Sequence, residues 1–255
     1  MNLEESVRKI RLDKLLLERG LVPSRERAQA LVLAGKVLVN GQKIEKSGAS
    51  VDIAAEIRLL GDDLKYVSRG GLKLEHALSY WKINVAGKIC LDIGASTGGF
   101  TDCLLQHGAA RVIAVDTGHG QIDFQLRQDP RVRLLEKTNA RYLTAERLGE
   151  MADLIVMDVS FISATLVLPA VIAAAFPETT KRSERELIVL IKPQFESGRD
   201  HVGKGGIVRD PDVQQQAVEK VRNAVKALGA AFTDTIDSPI LGAEGNREFL
   251  LYAKF

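Results

Sequence analysis

A chain of 255 residues, 45% hydrophobic and 27% charged, can bury a proper core and has room for one large domain and a small one. Its two cysteines are too few for a disulfide scaffold or a zinc site, and the four histidines, His76, His107, His119 and His201, show no metal-ligand spacing, so no metal is expected. The net charge of +2 is unevenly divided, with +3 in residues 1–60 and −1 in the remainder. No basic segment followed by an apolar one opens the sequence, so the expectation is a cytoplasmic protein without a secretory signal, its Cys90 and Cys103 reduced core thiols.

The N-terminal excess of positive charge lies mostly in RKIRLDKLLLERGLVPSRERAQALVLAGKVLVNGQKI, where apolar residues recur at helical spacing and basic residues take the other faces. Leu12, Leu15 and Leu16 form one apolar stripe; Ala28, Leu31 and Val32 form another. Pro23 and Ser24 interrupt the first helix and cap the second. Gly35 ends the second helix, and KVLVNGQKI reads as strand, Asn-Gly turn and strand. A charged face of this kind is either solvated or a nucleic-acid surface, and the acids Asp13, Glu18 and Glu26 dilute it. The unit, with SRERA on its second helix and GKVLVNG after it, resembles the S-four RNA-binding domain over Arg11 to Leu60. That resemblance implies that Arg11, Lys14, Ser24, Arg25, Arg27 and Lys36 meet the phosphate backbone of structured RNA, which is held mainly through shape and phosphate contacts.

Residues 61–71, GDDLKYVSRGG, read as a linker between a domain at 1–60 and a second at 72–255, with Gly70 and Gly71 loosening the chain before a helix LKLEHALSYW. From there strands alternate with helical patterns, with strands expected near 88–93, 111–116, 131–135, 153–158, 186–192, 231–237 and 248–255. Alternation of this kind predicts an α/β fold, a mostly parallel seven-stranded sheet with helices on both faces and ligands beyond the carboxyl ends of the strands. The last two strands, joined without a helix, pair antiparallel.

The stretch KICLDIGASTGGFTDCLLQHGAARVIAVD spells strand, glycine turn, helix, strand and acid, the layout of a nucleoside site. GASTGG lacks the GxGxxG spacing that seats a pyrophosphate on a helix N-terminus, so a nucleoside without phosphates, such as S-adenosylmethionine, suits it better than a dinucleotide. On that reading Gly94, Ala95 and Gly98 face the methionine part through backbone, and Asp116 accepts from the ribose hydroxyls. Asn139 in KTNAR contacts adenine or merely turns the chain, and His119 is more simply a loop residue than a stacking partner. Val159 to Pro177 carries no charge and is nearly long enough to span a membrane, but its serines, its proline and the preceding strand DLIVMD make a buried helix the simpler reading. Gly198 to Lys204 meets the first part of a phosphate-binding GxxxxGK, yet Gly205 stands where a magnesium-binding Ser or Thr belongs; the loop reads as a mobile flap or a flexible connector.

VSRGGLKL, LDIGASTGGFTDCLL, DLIVMDVSFIS, LIVLIKPQFESGRDHVGKGGIVRD and EGNREFLLYAKF together resemble the TlyA family, FtsJ-like RNA ribose methyltransferases with an appended S-four domain, often labelled hemolysins. The resemblance implies a class I, Rossmann-like methyltransferase fold and S-adenosylmethionine as donor. Ribosomal RNA or a ribosomal subunit is implied as partner, and a cytidine ribose as target. It also places a Lys, Asp, Lys, Glu tetrad on Lys73, Asp158, Lys192 and Glu248. A lysine accepts a hydroxyl proton only when its pKa falls well below about 10.4, as burial and a second cation bring about. Lys192 is the candidate base and Lys73 its cationic neighbour; Asp158 and Glu248 hold the ammonium groups, and Asp158 also lies near the donor methyl. Two other classes of function compete: a non-catalytic RNA-binding protein, against which an intact tetrad and donor loop speak, and a membrane-lytic protein, for which the sequence offers no convincing span.

Overall fold

The computed structural model describes residues 9–22, 24–60, 65–177, 185–242 and 245–255. The chain divides into two compact units, Met1–Asp63 and Leu64–Phe255.

In the first unit the leucine spacing does what an amphipathic pattern should: Leu12, Leu15 and Leu16 of α1 (Leu12–Glu18) and Ala28 and Val32 of α2 (Arg25–Leu33) are sealed from water in one cluster. Ser24 caps α2 by accepting from Arg27 N–H at 3.2 Å; Pro23 lies outside the described residues. Strands β2 (Val37–Val39) and β3 (Gln42–Lys43) form the expected hairpin, with Asn40 and Gly41 both at positive φ (49° and 79°), as a two-residue primed turn demands. The charged run before α1 is not helical. Lys9–Arg11 forms β1, paired antiparallel with β4 (Ser50–Asp52), while β5 (Ile57–Leu59) pairs with β2. The partner of β1, Ser50–Asp52, lies far down the chain, with Lys9 opposite Asp52, so no local pattern announces it.

In the second unit, β6 (Ile89–Ile93), β7 (Arg111–Val115), β8 (Val132–Leu135), β9 (Leu154–Met157), β10 (Glu186–Ile191), β11 (Phe232–Asp237) and β12 (Phe249–Lys254) make one sheet in the order β8-β7-β6-β9-β10-β12-β11. All neighbours are parallel except β12, which runs against both β10 and β11. Side chains alternate across the sheet into two cores. Leu91 and Ile93 join the residues of α7 (Leu168–Ala175) and α9 (Pro211–Ala227) on one face; Cys90 joins α3 (Gly70–Tyr80) and α4 (Gly99–Gln106) on the other. Short helices α5 (Phe124–Gln128), α6 (Ala145–Leu148) and α8 (Pro193–Glu196) complete the connections. Burial raises both thiols, Cys103 to about 12, so both stay protonated core groups.

The linker expectation changes, whereas the buried helix expected within Val159 to Pro177 is present as α7. The linker closes sooner than its composition suggests, because Tyr66 is buried and Val67 N–H donates to Asp102 of α4 at 2.8 Å. Gly70 and Gly71 therefore begin α3 rather than loosen the chain; a Cβ on Gly71 would lie 2.3 Å from the Tyr66 ring. The uncharged run Val159 to Pro177 contains a 3-10 turn at Ala164–Leu166 and only eight residues of α-helix, in α7. Among the described residues no helix is long and apolar enough to cross a membrane.

Asp92, fully buried in β6, accepts from Thr101 Oγ1 at 2.6 Å through one oxygen, while the other has no protein partner. Burial pushes its carboxyl up to about 7, against the pull of Thr101. Between an ordinary carboxyl pKa of 3.8 and about 7, the folded chain keeps a proton that the unfolded chain has lost, so rising pH removes stability across that window. Denaturant titrations from pH ~4 to ~8 should show that decline in the wild type and a flatter profile in Asp92→Asn; parallel profiles would show Asp92 ionised throughout.

Candidate active site

The polar groups of the second unit sit where strands stop. Gly94 follows β6, Asp116 follows β7, Asp158 follows β9 and Lys192 follows β10; Glu248 immediately precedes β12. Because β12 is reversed and Ile191 pairs with Phe249, its amino end lies beside the carboxyl ends of the parallel strands. All five residues therefore gather at one end of the sheet.

Two cavities open there, each about 440 Å³. The first is walled by Ile93, Val115, Ile162 and Val167 and bordered by Gly94, Ser96, Asp116, Asn139 and Asp158. Both oxygens of Asp116 accept from backbone N–H groups, of Ser96 at 2.8 Å and Gly118 at 2.6 Å, which fixes the carboxylate at the cavity edge. Asn139 lines the same cavity and also turns the chain, accepting from Arg141 N–H at 3.0 Å. Gly94, at φ +84°, has to be glycine: a Cβ would lie 2.4 Å from the Asp158 carbonyl oxygen, so the β6 turn and the end of β9 touch.

The glycine pattern misleads at Gly98. That residue lines neither cavity; it has φ +96° and a Cβ there would lie 2.3 Å from Leu126, so it is glycine to let α4 and α5 pack. Ala95 does face a cavity, the second one, with Gly94. His119 is a loop residue, its ring paired with Glu136 at 2.9 Å and 65% exposed.

The second cavity gathers Lys73, Asp158, Lys192 and Glu248. Lys73, on α3, pairs with Glu248 at 2.5 Å, and both side chains are nearly buried. Lys192 pairs with Asp158 at 2.6 Å and donates to Ser160 Oγ at 2.7 Å. The arrangement is two cation–carboxylate pairs, not two lysines sharing one acid. Gly94, Ser96, Asp158, Ser160 and Phe161 border both cavities, so the cavities meet at Asp158. A group reaching from the first cavity into the second passes that carboxylate.

Residues that a search for charged motifs passes over complete the site. Phe161, at positive φ (64°), is 92% exposed at the junction of the cavities, with its ring centroid 5.3 Å from that of Phe195. Its exposure is hidden in the sequence by the apolar run it begins. Arg69, exposed, lines the second cavity. Gly242 packs so tightly on Glu248 that a Cβ would lie 2.0 Å from Oε1. The segment expected as a flap or connector is pinned from Gly203 to Val208: Gly203 N–H donates to Ile207 O at 3.0 Å, and buried Asn246 bonds both Gly206 O (2.9 Å) and Val208 N–H (3.1 Å). Among the described residues no cluster could hold a metal ion.

In the first unit the acid thought to dilute the basic face organises it. Asp13 is fully buried and accepts from Arg11 Nε and Nη2 (3.0 and 2.9 Å), Arg25 Nε (3.0 Å), Gln29 Nε2 (3.1 Å) and Lys14 N–H (2.9 Å). The Arg11 guanidinium holds its carboxyl well below the usual carboxylate range. Arg11 and Arg25 stay half-exposed. Lys14 lies 3.5 Å from Glu18, Lys36 is exposed, Arg27 is partly buried, and Ser24 serves as the α2 cap.

Comparison with known proteins fits both units. Residues 66–255 match the FtsJ-like methyltransferase model and residues 10–57 match the S4 domain. The chain is 43% identical over 248 residues, 97% of its length and 90% of the relative's, to the 16S/23S rRNA (cytidine-2′-O)-methyltransferase TlyA of Mycobacterium tuberculosis. It is 42% identical over 244 residues, 95% of its length and 99% of the relative's, to hemolysin A of Brachyspira hyodysenteriae. Among solved structures, a Streptococcus thermophilus protein described as a hemolysin superposes with a TM-score of 0.71 at 41% identity, covering 98% of this chain and 89% of the other.

The contact at Gly242 gives a test of how closely the site is packed. Gly242→Ala must displace the Glu248 carboxylate and with it the Lys73 ammonium, while leaving the sheet untouched. A misplacement near 1 Å costs on the order of 100-fold in rate, so methyl transfer should fall by about that factor with thermal stability changed by only a few degrees. Full activity would show that Glu248 does not need its present position.

Proposed function

The chain belongs to the FtsJ-like methyltransferase family, and from that premise we propose that it is an S-adenosylmethionine-dependent methyltransferase acting on a ribose 2′-hydroxyl of ribosomal RNA, at cytidine. The observation that carries this reading is the meeting of two cavities at Asp158, one edged by the fixed Asp116 carboxylate and the other by the pairs Lys73–Glu248 and Lys192–Asp158. The names of the TlyA relatives support the substrate, and the S-four unit supports RNA as partner.

The first cavity suits the donor. Its apolar walls suit an adenine, Asp116 has lone pairs left for a ribose diol, and Asn139 stands at the adenine side. When bound there, S-adenosylmethionine supplies an electrophilic methyl on a sulfonium. The chain's residues supply orientation and proton removal at the acceptor. Bound there, the donor would supply the methyl from its sulfonium and leave as a neutral thioether; at the acceptor, Lys192 Nζ, once its own proton has passed to solvent, would take the hydroxyl proton as the oxygen takes the methyl. Asp158 anchors Lys192, and Glu248 anchors Lys73 so that its ammonium borders the acceptor without a free counter-charge in the cavity. Phe161 offers an open ring face on which the target base can stack, as single-stranded bases do on exposed aromatics. Arg11, Lys14, Arg25, Arg27 and Lys36 contact RNA phosphates, with Asp13 holding two of the guanidinium groups in place.

Two measurements follow from the assignment. Asp116→Ala removes the diol acceptor and should weaken donor binding by roughly tenfold or more, the scale of a hydrogen bond to a charged group, in calorimetric titration of a folded variant; unchanged affinity would remove Asp116 from the site. Transfer of labelled methyl to purified ribosomal RNA or ribosomal subunits tests the activity itself. Lys192→Ala should abolish incorporation while binding donor about as well as wild type, since its contribution is made in the transition state. Lys192→Arg should recover little, because a guanidinium stays protonated and its planar fork cannot replace a compact amine. Substantial incorporation by the alanine variant would reject the tetrad; substantial incorporation by the arginine variant would favour a purely electrostatic role.

A further inference from the structure

We propose that Glu196 is a positioning residue: its carboxylate clamps the segment that carries Phe161 to the helix that follows Lys192, and so fixes the place of the base-stacking ring relative to the proton acceptor. The inference rests on the reading of Phe161 as the surface on which the target base stacks, and extends it.

Phe161 is held in a conformation that its side chain disfavours. Its φ of 64° is left-handed, a region that a bulky residue occupies only where the surrounding structure over-determines the backbone. The ring is 92% exposed, so burial of the ring does not supply that restraint, and it must come from the flanking backbone. On one side, Asp158 N–H donates to Ile93 O at 2.9 Å, which fixes the segment where it leaves β9. On the other, both oxygens of Glu196 are engaged: Oε1 accepts from Ala164 N–H at 2.6 Å and Oε2 from Ser163 Oγ at 2.5 Å. Glu196 is itself anchored. It is buried at the end of α8, and Lys220 of α9 donates to its carbonyl oxygen at 2.7 Å and lies 3.4 Å from Oε2.

The helix α8 is a single turn of four residues with Lys192 as its N-cap and Glu196 as its last residue. That turn therefore carries the proton acceptor, the Phe195 ring 5.3 Å from the Phe161 ring, and the carboxylate that ties down the Phe161 segment. A base stacked on Phe161 brings its ribose to Lys192 at a separation that the turn sets. Without the clamp, the Phe161 backbone is free to leave the left-handed region, and the ring swings with it. Glu196 lines neither cavity, so it acts through Phe161 rather than on substrate. An amide preserves the clamp: in Glu196→Gln the oxygen still accepts from Ala164 N–H, and the nitrogen donates to Ser163 Oγ, whose hydrogen turns to Thr165 Oγ1, 2.7 Å away.

The test is a double-mutant cycle on the full chain, with Glu196→Ala and Phe161→Ala made singly and together and Glu196→Gln beside them. Labelled methyl transfer to ribosomal RNA and calorimetric titration with S-adenosylmethionine are the readouts. Phe161→Ala should lower kcat/KM for RNA by about tenfold or more, the scale of one base–aromatic stack. Glu196→Ala should cost a comparable factor on its own yet add less than about twofold to Phe161→Ala, because the clamp has nothing to aim once the ring is gone. Glu196→Gln should recover most of the loss, with donor affinity within about twofold of wild type in every variant. Ser163→Ala, which cuts only the Oε2 contact, carries the same cycle if Glu196→Ala does not fold. Losses that multiply in the double variant, or a glutamine variant as slow as alanine, overturn the role of Glu196 and leave the reading of Phe161 standing. A fully active Phe161→Ala overturns the stacking surface itself, and this inference with it.

Discussion

The reversal of β12 is the constraint on which the candidate site depends. In a wholly parallel sheet the residue preceding a strand lies at the opposite end from the residues that follow its neighbours. Here β12 pairs antiparallel with β10, Ile191 opposite Phe249, and the residue before it, Glu248, arrives beside the carboxyl end of β10. Only then can the last acid of the site reach Lys73 on α3, more than 170 residues earlier in the chain. The ladder is also deeply buried on both strands, so a register slip would move Glu248 and bring alternate side chains to the wrong core. Sheet stability and site geometry are thus one property of this part of the molecule.

That geometry is costly to maintain unless charges balance. Removing an ammonium or a carboxylate from water costs several kcal/mol, and mutual attraction offsets this only with close partners. The site meets the requirement with two separate pairs, Lys73–Glu248 and Lys192–Asp158. A hydrophobic set of equal volume would hold α3 to the sheet at least as well, so the pairs are better explained by what they do in the cavity than by stability. Their separation matters as well. Lys192 shares its acid with the border of the first cavity through Asp158, whereas Lys73 is anchored by Glu248 beside β12, and the two lysines can therefore have different duties.

Most of the sheet was legible in the sequence because buried parallel strands are continuous apolar runs closed by a polar residue, and that polar residue is the one that borders a cavity. Asp116, Asp158 and Lys192 each follow such a run, and Glu248 opens one. What could not be read depends on contacts between distant segments. β1 is three residues of a charged stretch made a strand by Ser50–Asp52. Gly98 and Gly94 look alike in GASTGG, yet one makes room for Leu126 and the other for the backbone at Asp158. Ser160 and Phe161 stood inside a run whose lack of charge drew attention to membranes, and nothing local tells an exposed phenylalanine from a buried one. The necessity of Gly242 arises from Glu248 alone.

The two units put carboxylates to the same use. In the first, Asp13 has no access to solvent and serves to hold Arg11 and Arg25, half-exposed, in a fixed orientation on the basic face. In the second, Asp158 and Glu248 do so for Lys192 and Lys73. A flexible cation loses rotamer entropy when it meets its target, and that loss subtracts from binding or from transition-state stabilisation. A carboxylate placed behind the cation imposes the ordering during folding instead, and leaves the arginine or lysine little to lose on meeting a ligand. An acid within a basic sequence motif is, on this argument, no dilution of its charge but the means by which the charge is aimed.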